Sequence, residues 1–444
     1  MSDTVGLQLF AATISAAILV PKVIAYVKKP LNNPHLKRIS CISAPGKVLV
    51  AGGYLVLEHP NLGISVSTSS RFYTTVKPEL LNDKISSYPC CLTIVINSPQ
   101  FYEQYVYFYN IETGVITGKA VGGASFVKTC VELTMGFVRE FKEKDGTGLN
   151  TILNAIAGTH YLNVVLQADN DFYSQIKELK HRGKPLLSSS LKQLPKFLPC
   201  PKDANGKADV AKTGLGSSAA LTTSLVSALL QWFEVTRVGL RPDSEDRRVV
   251  HNLAQLVHSI AQGKIGSGFD VAAAVYGTQM YRRFSASAFE VCMQPDAPSA
   301  LIYQATIRPG GWSQTIRPFS LPYGMDIVLG DVCGGSSSTS MVIKVLSWKF
   351  HHLEQSESLW DSLAGVNTEI FDCLEELSSQ YRRDPLRFNS DIHWASKRAA
   401  AEWNSKSESP TVQSLLKLRG LFQTTRTLLK NMGNMAGVGI EPDS

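Results

Sequence analysis

The stretch Lys212-Thr-Gly-Leu-Gly-Ser-Ser-Ala-Ala-Leu221 sets two glycines and two serines at the entrance to an apolar run, and it constrains this chain more than any other feature. Beyond it Leu221, Leu225, Leu229 and Trp232 recur at helical spacing, so the segment from Ser217 to Phe233 is predicted as an amphipathic helix with its buried stripe on those residues. A flexible Gly/Ser turn at a helix N-terminus offers unpaired backbone N–H groups together with the positive end of the helix dipole, and that combination binds phosphate. The hydroxyl of Ser217 or Ser218 is placed to meet a phosphate oxygen or a bound magnesium ion. No Gly-Lys-Ser/Thr follows the glycines, so the run is not a Walker A loop. Taken alone, it reads equally well as a glycine turn capped by serine.

Around this loop the chain reads as a mixed α and β protein. KVLVA (Lys47 to Ala51) and ISVSTSSRFYTTV (Ile64 to Val76) carry the alternation of half-buried strands, with Gly52-Gly53 and Glu58-His-Pro60 as punctuation between them. LTIVI and YVYFYNI, between Leu80 and Gly114, read as further strands. Phe172 to Gly206 is polar and Pro-rich, a long excursion with short helices. A second helix is expected over His251 to Gln262, then a strand pair near Met280 to Phe289 and Ala300 to Ile307. The segment from Met325 to Lys349 reads as strand, Gly/Ser loop and helix, with helices after it. No internal repeat is visible.

With 444 residues, 44% of them hydrophobic, the chain is long enough for two or three domains, and 18% charged residues without single-sign blocks mark it as globular. A net charge of +7 is small for this length, and no basic stripe is interleaved with aromatics, which argues against nucleic acid as a partner. The eight cysteines are dispersed apart from Cys90 and Cys91, with no CxxC pair, which suits a reducing compartment. Residues 1–40 stand apart as an apolar leader. Its apolar run from Leu7 to Val27 is broken at Pro21-Lys22 and falls short of the roughly 20 residues of a spanning helix. Membrane association through residues 7–27 stays open as an alternative to a loosely packed leader. A cytoplasmic protein is the simplest expectation, with membrane-anchored and peroxisomal placements as the others.

Two further residues belong with the glycine loop. Lys47 opens a strand after a Pro-Gly turn, where an ammonium neutralises phosphate charge. Asp270 follows the glycine turn of GSGFDVAAAVYG, where a carboxylate holds magnesium or orients a nucleophile. Singly, the first reads as a surface lysine and the second as a helix cap. Together, Ala44-Pro-Gly-Lys-Val-Leu49, Gly52-Gly-Tyr-Leu-Val-Leu57, Lys212-Thr-Gly-Leu-Gly-Ser-Ser-Ala219 and Gly263-Lys-Ile-Gly-Ser-Gly-Phe-Asp-Val271 resemble the motifs of the GHMP kinases. The closest likeness is to their plant and fungal phosphomevalonate kinase branch. It runs from about Ile42 to the end and is weakest between Leu80 and Leu149.

The resemblance implies an α+β GHMP kinase fold: an N-terminal ATP-binding domain of the ribosomal-protein S5 domain 2 type over residues 41–320, and a ferredoxin-like C-terminal domain over 321–444. It implies ATP and Mg2+ as cofactors and 5-phosphomevalonate as the acceptor, converted to 5-diphosphomevalonate on the way to isoprenoids. Lys47 and Asp270 take the catalytic positions. Lys212, Gly214, Leu215, Gly216, Ser217, Ser218 and Ala219 take the nucleotide, with Ser217 and Ser218 near the metal. Lys47, Tyr54, Gly268, Ser336, Ser337 and Ser338 fall to the acceptor. The family's third glycine-rich motif, Pro-Gly-Ala-Gly-Gly-aromatic-Asp, is not found, and Gly437 to Ser444 resembles the segment that precedes it, so the C-terminal domain is expected to be incomplete. The competing expectations are a GHMP kinase for another acceptor, such as mevalonate or a sugar, and a weak or inactive nucleotide-binding protein of the same fold.

Overall fold

Alternating β-branched and aromatic residues build one mixed sheet, and its two longest strands carry the site. In the computed structural model, which describes residues 33–118, 125–237, 244–288, 290–294, 296–308, 312–331 and 338–440, β1 (Ser40–Ala51) and β2 (Leu62–Leu80) pair antiparallel, from Ser40 opposite Val76 to Ala51 opposite Ile64. The register slips between Pro45 and Lys47 and again between Leu49 and Ala51. Such irregularities bend a strand and re-aim its side chains. Strands β3 (Cys91–Ser98), β4 (Glu103–Asn110), β5 (Ile116–Thr117), β6 (His160–Ala168), β7 (Gln279–Arg282) and β8 (Thr315–Pro318) complete the sheet in the order β5-β4-β3-β6-β2-β7-β8, with β1 on β2. The β3–β6 pair is parallel and the others are antiparallel.

One sheet face is covered by α1 (Ser125–Asp145) and α2 (Leu149–Ile156), which precede β6, and by later helices. Two short helices, α3 (Ile176–His181) and α4 (Ser188–Leu191), lie in the polar excursion, as expected. Then come α5 (Ser217–Trp232), α6 (Glu245–Gln262), α7 (Phe269–Tyr276) and α8 (Ser299–Ile307). Val76, Leu92, Ile94, Ile96, Leu162 and Val164 from the sheet meet Met135, Phe137, Leu225, Leu229, Trp232, Leu253 and Val257 from the helices in the main core.

Three expectations about these elements change. Helix α5 is not amphipathic: Thr222, Thr223, Ser224 and Ser227 are buried beside the predicted Leu225, Leu229 and Trp232, because the helix has neighbours on all sides. Helix α6 begins six residues earlier than predicted, where the Ser244 hydroxyl accepts from the Arg247 N–H and Glu245 and Asp246 fill the first turn. Residues 300–307 form a helix, α8, and not a strand. Ile302 and Thr306 occupy its buried face one turn apart, and Asn252 on α6 donates to the Thr306 carbonyl at 2.9 Å. A short apolar run does not separate the two by periodicity.

The C-terminal part packs against the other end of β1 and β2. Helices α9 (Ser338–His351), α10 (Leu353–Arg383), α11 (Pro385–Ser396) and α12 (Pro410–Ala436), with a 3-10 helix over Ala400–Lys406, make up its regular structure, and among the described residues after Pro318 there is no strand. The predicted strand after Met325 is therefore absent from 325–331: no partner ladder reaches it, and Val328 is 92% exposed. The expected ferredoxin-like half is represented, among the described residues, by helices. One cluster joins Ala51, Ile64, Met280 and Phe319 to Ile370, Leu374, Leu377 and Leu418, and a second joins Leu55 to Val345, Trp348, Trp360 and Met432. Residues 1–32, with the apolar run, lie outside the described residues, whereas 33–40 are not a separate leader: Arg38 donates to the Trp232 carbonyl at 2.8 Å and Ser40 opens β1. Among the described residues no helix is long and apolar enough to cross a membrane.

Candidate active site

Strand β1 lies directly against the glycine loop. A Cβ on Gly46 would stand 2.9 Å from the Leu215 carbonyl oxygen and 2.9 Å from Thr68 Oγ1, so only glycine allows this approach. The next residue uses it twice. The Lys47 N–H donates to the Leu215 carbonyl at 2.9 Å, and Lys47 Nζ donates to the Gly214 carbonyl at 3.0 Å. Its stem crosses Gly216, where a Cβ would come within 3.0 Å of Lys47 Cε, and its ammonium stands 5.3 Å from the centre of the Phe269 ring. Burial pulls the Lys47 pKa below the ordinary lysine range, and the Asp270 carboxylate opposes that shift.

Gly214 and Gly216 have φ of +85° and +77°, in the left-handed region that favours glycine. Gly216 starts α5 with no side-chain cap, which leaves first-turn N–H groups to face a ligand, and a Cβ on Gly214 would meet nothing within 4 Å. The loop therefore has open space on one side and a helix N-terminus behind it, which fits a phosphate group. Leu215 and Ala219 turn into the core and anchor it, while Lys212 is exposed and bridges to Tyr173 through the backbone. Ser217 is buried and hydrogen-bonded to Tyr173, whose hydroxyl pKa is pushed up by burial and by Cys200, with the Ser217 bond opposing. Ser218 Oγ lies 3.1 Å from His258 Nε2 and 3.3 Å from Gln262 Nε2.

Asp270 sits in the first turn of α7, where its Oδ1 accepts from the Val271 N–H at 2.9 Å. The turn before it depends on Gly268, at φ +86°, where a Cβ would lie 2.6 Å from Phe284, 2.7 Å from the Tyr281 hydroxyl and 2.9 Å from Gln255 Oε1. Tyr281 secures the same turn by donating to the Ser267 carbonyl at 2.8 Å. The Asp270 charge reaches Lys47, His258 and Tyr281 alike. Burial lowers the His258 pKa while Asp270 raises it, and Tyr281 is pushed up by burial first and Asp270 second. Lys47, the glycine loop and Asp270, far apart in sequence, thus meet in one place.

The acceptor residues are distributed differently. Tyr54 is half-buried in the cluster of C-terminal helices, where burial raises its phenol pKa. The turn that carries it is held from two sides. Lys349 of α9 pairs with Glu58, and Arg283 donates to the Leu57 carbonyl and, at 3.2 Å, to the Ile265 carbonyl. Ser336 and Ser337 lie outside the described residues, as does the side chain of Ser338. Among the described residues no cluster of three or more His, Cys, Asp or Glu could hold a metal unaided. Sequence reasoning passed over His258, Gln262, Phe269 and Arg283. The available signal was the i, i+4 spacing of His258 and Gln262 on the last turn of a helix ending at the Gly263 motif.

Comparison with known proteins identifies what the chain resembles. Residues 193–278, which contain both the glycine loop and Asp270, match the model of the GHMP kinases N terminal domain. The peroxisomal phosphomevalonate kinase of Arabidopsis thaliana is 35% identical over 426 residues, covering 90% of this chain and 83% of that protein. The phosphomevalonate kinase of Aspergillus fumigatus is 31% identical over 442 residues, covering 91% and 80%. Among solved structures, a Lin0012 protein from Listeria innocua shares the fold with a TM-score of 0.52 at 16% identity, over 91% of this chain and 82% of that one.

Proposed function

The chain belongs to the phosphomevalonate kinases of the GHMP kinase family, and on that premise we propose that it transfers the γ-phosphoryl group of ATP to the phosphate of 5-phosphomevalonate, giving ADP and 5-diphosphomevalonate. The observation that carries this reading is the double hydrogen bond of Lys47 to the glycine loop, 2.9 Å from its N–H and 3.0 Å from its ammonium. It sets a cation beside a helix N-terminus, where the charge of two polyanions has to be neutralised.

The chemistry follows from the acceptor. An oxygen of its phosphate bonds to the γ-phosphorus of ATP as the bond between that phosphorus and the β,γ-bridging oxygen breaks, and the bridging electron pair leaves with ADP. A phosphomonoester has a second pKa near 6 and is largely dianionic at neutral pH, so the nucleophile needs no strong base. Asp270 accordingly serves to hold Lys47 charged and to orient the acceptor. Lys47 and the first-turn amides of α5 take the phosphate charge, Gly214 and Gly216 let the backbone approach it, and Lys212 meets the nucleotide from the solvent side. Gly268 keeps the Asp270 turn close, and the Tyr54 turn faces the acceptor.

Mg2+ is the cation this chemistry calls for: when bound it would supply charge neutralisation for the phosphate groups. The hydroxyls of Ser217 and Ser218 suit it, since Mg2+ bound to a nucleotide keeps most of its ligands as phosphate oxygens and water and needs few from the protein. ADP release measured with 5-phosphomevalonate, mevalonate and galactose as acceptors tests the reading. Turnover with the first alone is expected; turnover with another acceptor, or with none, would refute it.

A further inference from the structure

Ser218 does not stand free at the start of α5. His258 and Gln262 lie one turn apart on α6, so their side chains share a face, and both converge on the Ser218 hydroxyl. The His258 ring is buried, set edge-on to Phe126 with centroids 6.2 Å apart. Its Nε2 lies 3.1 Å from Ser218 Oγ and 2.9 Å from Gln262 Nε2, and Gln262 Nε2 lies 3.3 Å from Ser218 Oγ, closing a triangle.

A serine hydroxyl has one proton to donate and two lone pairs to accept with. The Gln262 amide can only donate through its nitrogen, so at 2.9 Å the imidazole Nε2 must be an acceptor. The short distance from Ser218 Oγ to the same nitrogen then places the serine proton between them, the single Nε2 lone pair being shared by that proton and the amide hydrogen, while the second amide hydrogen of Gln262 occupies one Oγ lone pair. With the amide turned over, the ring N–H would donate to Oγ and the serine proton would point to the Gln262 oxygen. In both arrangements the proton and one lone pair are used, and one lone pair remains.

We propose that His258 and Gln262 are positioning residues that draw the Ser218 proton inward, so that Ser218 offers a bare oxygen lone pair to the nucleotide-bound divalent cation and not a hydrogen bond to a phosphate oxygen. Of the two serines in the loop, Ser218 is then the cation's, and His258 acts on the cation through it without touching nucleotide or acceptor. This rests on the kinase reading above and deepens it.

The test is the dissociation constant of AMPPNP, measured by calorimetry with Mg2+ and again with EDTA; the ratio of the two isolates the metal-dependent part of binding. His258→Leu should shrink that ratio by about tenfold, the lower end of the effect expected when a metal ligand loses its supporting partner, and leave the EDTA constant within about twofold. His258→Gln, which restores an acceptor, should recover most of the ratio. Combining His258→Leu with Ser218→Ala should be no worse than Ser218→Ala alone. Should His258→Leu fail to fold, Gln262→Ala at the exposed end of the helix should shrink the ratio in the same direction. An unchanged ratio in the folded variants, or equal losses with Mg2+ and with EDTA, would overturn the inference alone. Absence of any Mg2+-dependent AMPPNP binding by the unsubstituted protein would overturn the kinase reading as well.

Discussion

Lys47 is joined to Leu215 main chain to main chain, its N–H donating to the Leu215 carbonyl at 2.9 Å, across a sequence gap that spans most of the sheet. Strand and loop therefore stay together whatever side chain stands at 47, and only the ammonium is lost when the residue is shortened. Lys47→Ala should fold with near-normal stability and lower kcat about a hundredfold to a thousandfold, the range for removing one preorganised donor. The KM for ATP should change far less. Steady-state ADP release and a urea titration check the two halves of the statement, and a near-normal kcat would contradict it.

Gly46→Ala probes the same contact from the backbone side. The added methyl would meet the Leu215 carbonyl, Thr68 and Phe172 at 2.9–3.0 Å, and a main-chain atom has little freedom to move away. The variant should lose roughly 1–3 kcal/mol of stability, as overpacked sites do, and its KM for ATP should rise as the loop is pushed off β1.

The Lys47 pKa makes a statement about pH. Burial holds it below the usual 10.5, and the Asp270 charge pulls it partly back. The lysine is charged below its pKa and neutral above, so kcat/KM should fall as pH rises through that value, earlier than a free lysine would dictate. Asp270→Asn removes the carboxylate charge that raises it, so the alkaline limb should move to lower pH. A profile between about pH 7 and 10.5 decides, and a limb that stays in place or moves upward contradicts the assignment.

How far the sequence carried depended on how local each feature is. The glycine loop, Lys47 and Asp270 were legible because their chemistry is written in consecutive residues: glycines that need positive φ, a serine pair, a lysine after a Pro-Gly turn. The strands around them were legible from alternation. Helix α8 was not, because Pro298-Ser299 and one buried pair, Ile302 and Thr306, decide it only through contact with α6. The all-round burial of α5 depends on neighbours brought from three directions. His258 looks like any other helical histidine until α6 is laid beside Ser218.

Acid should loosen two places. Asp391 is buried, a circumstance that by itself raises a carboxyl pKa, yet hydrogen bonds from Lys406 and Ser409, each at 2.6 Å, hold it below the ordinary value. Burial of Glu79 acts the same way, and donors on Lys77, Tyr161 and Asn163 outweigh it and take the carboxyl down to about 2. A carboxyl whose folded pKa lies below its unfolded one stabilises fully above the unfolded value, about 4, and loses that contribution as pH falls through the folded value. The melting temperature should therefore drop steeply below about pH 4. Asp391→Ala should cost roughly 2–4 kcal/mol at neutral pH, from two charge-assisted bonds and the Ser409 cap of α12, with the difference from the unsubstituted protein shrinking in acid. A difference that persists unchanged to about pH 2 would show that the charge of Asp391 is not what these bonds act through.

The central claim is that this site moves a phosphoryl group from ATP onto another phosphate, and 31P NMR of the unsubstituted protein with ATP, Mg2+ and 5-phosphomevalonate reads it most directly. The account predicts ADP and a new pair of mutually coupled phosphorus resonances, the signature of a P–O–P anhydride, growing in equal amounts while the acceptor's single phosphate resonance disappears. ADP accompanied only by inorganic phosphate, or an acceptor resonance that does not change, would contradict it.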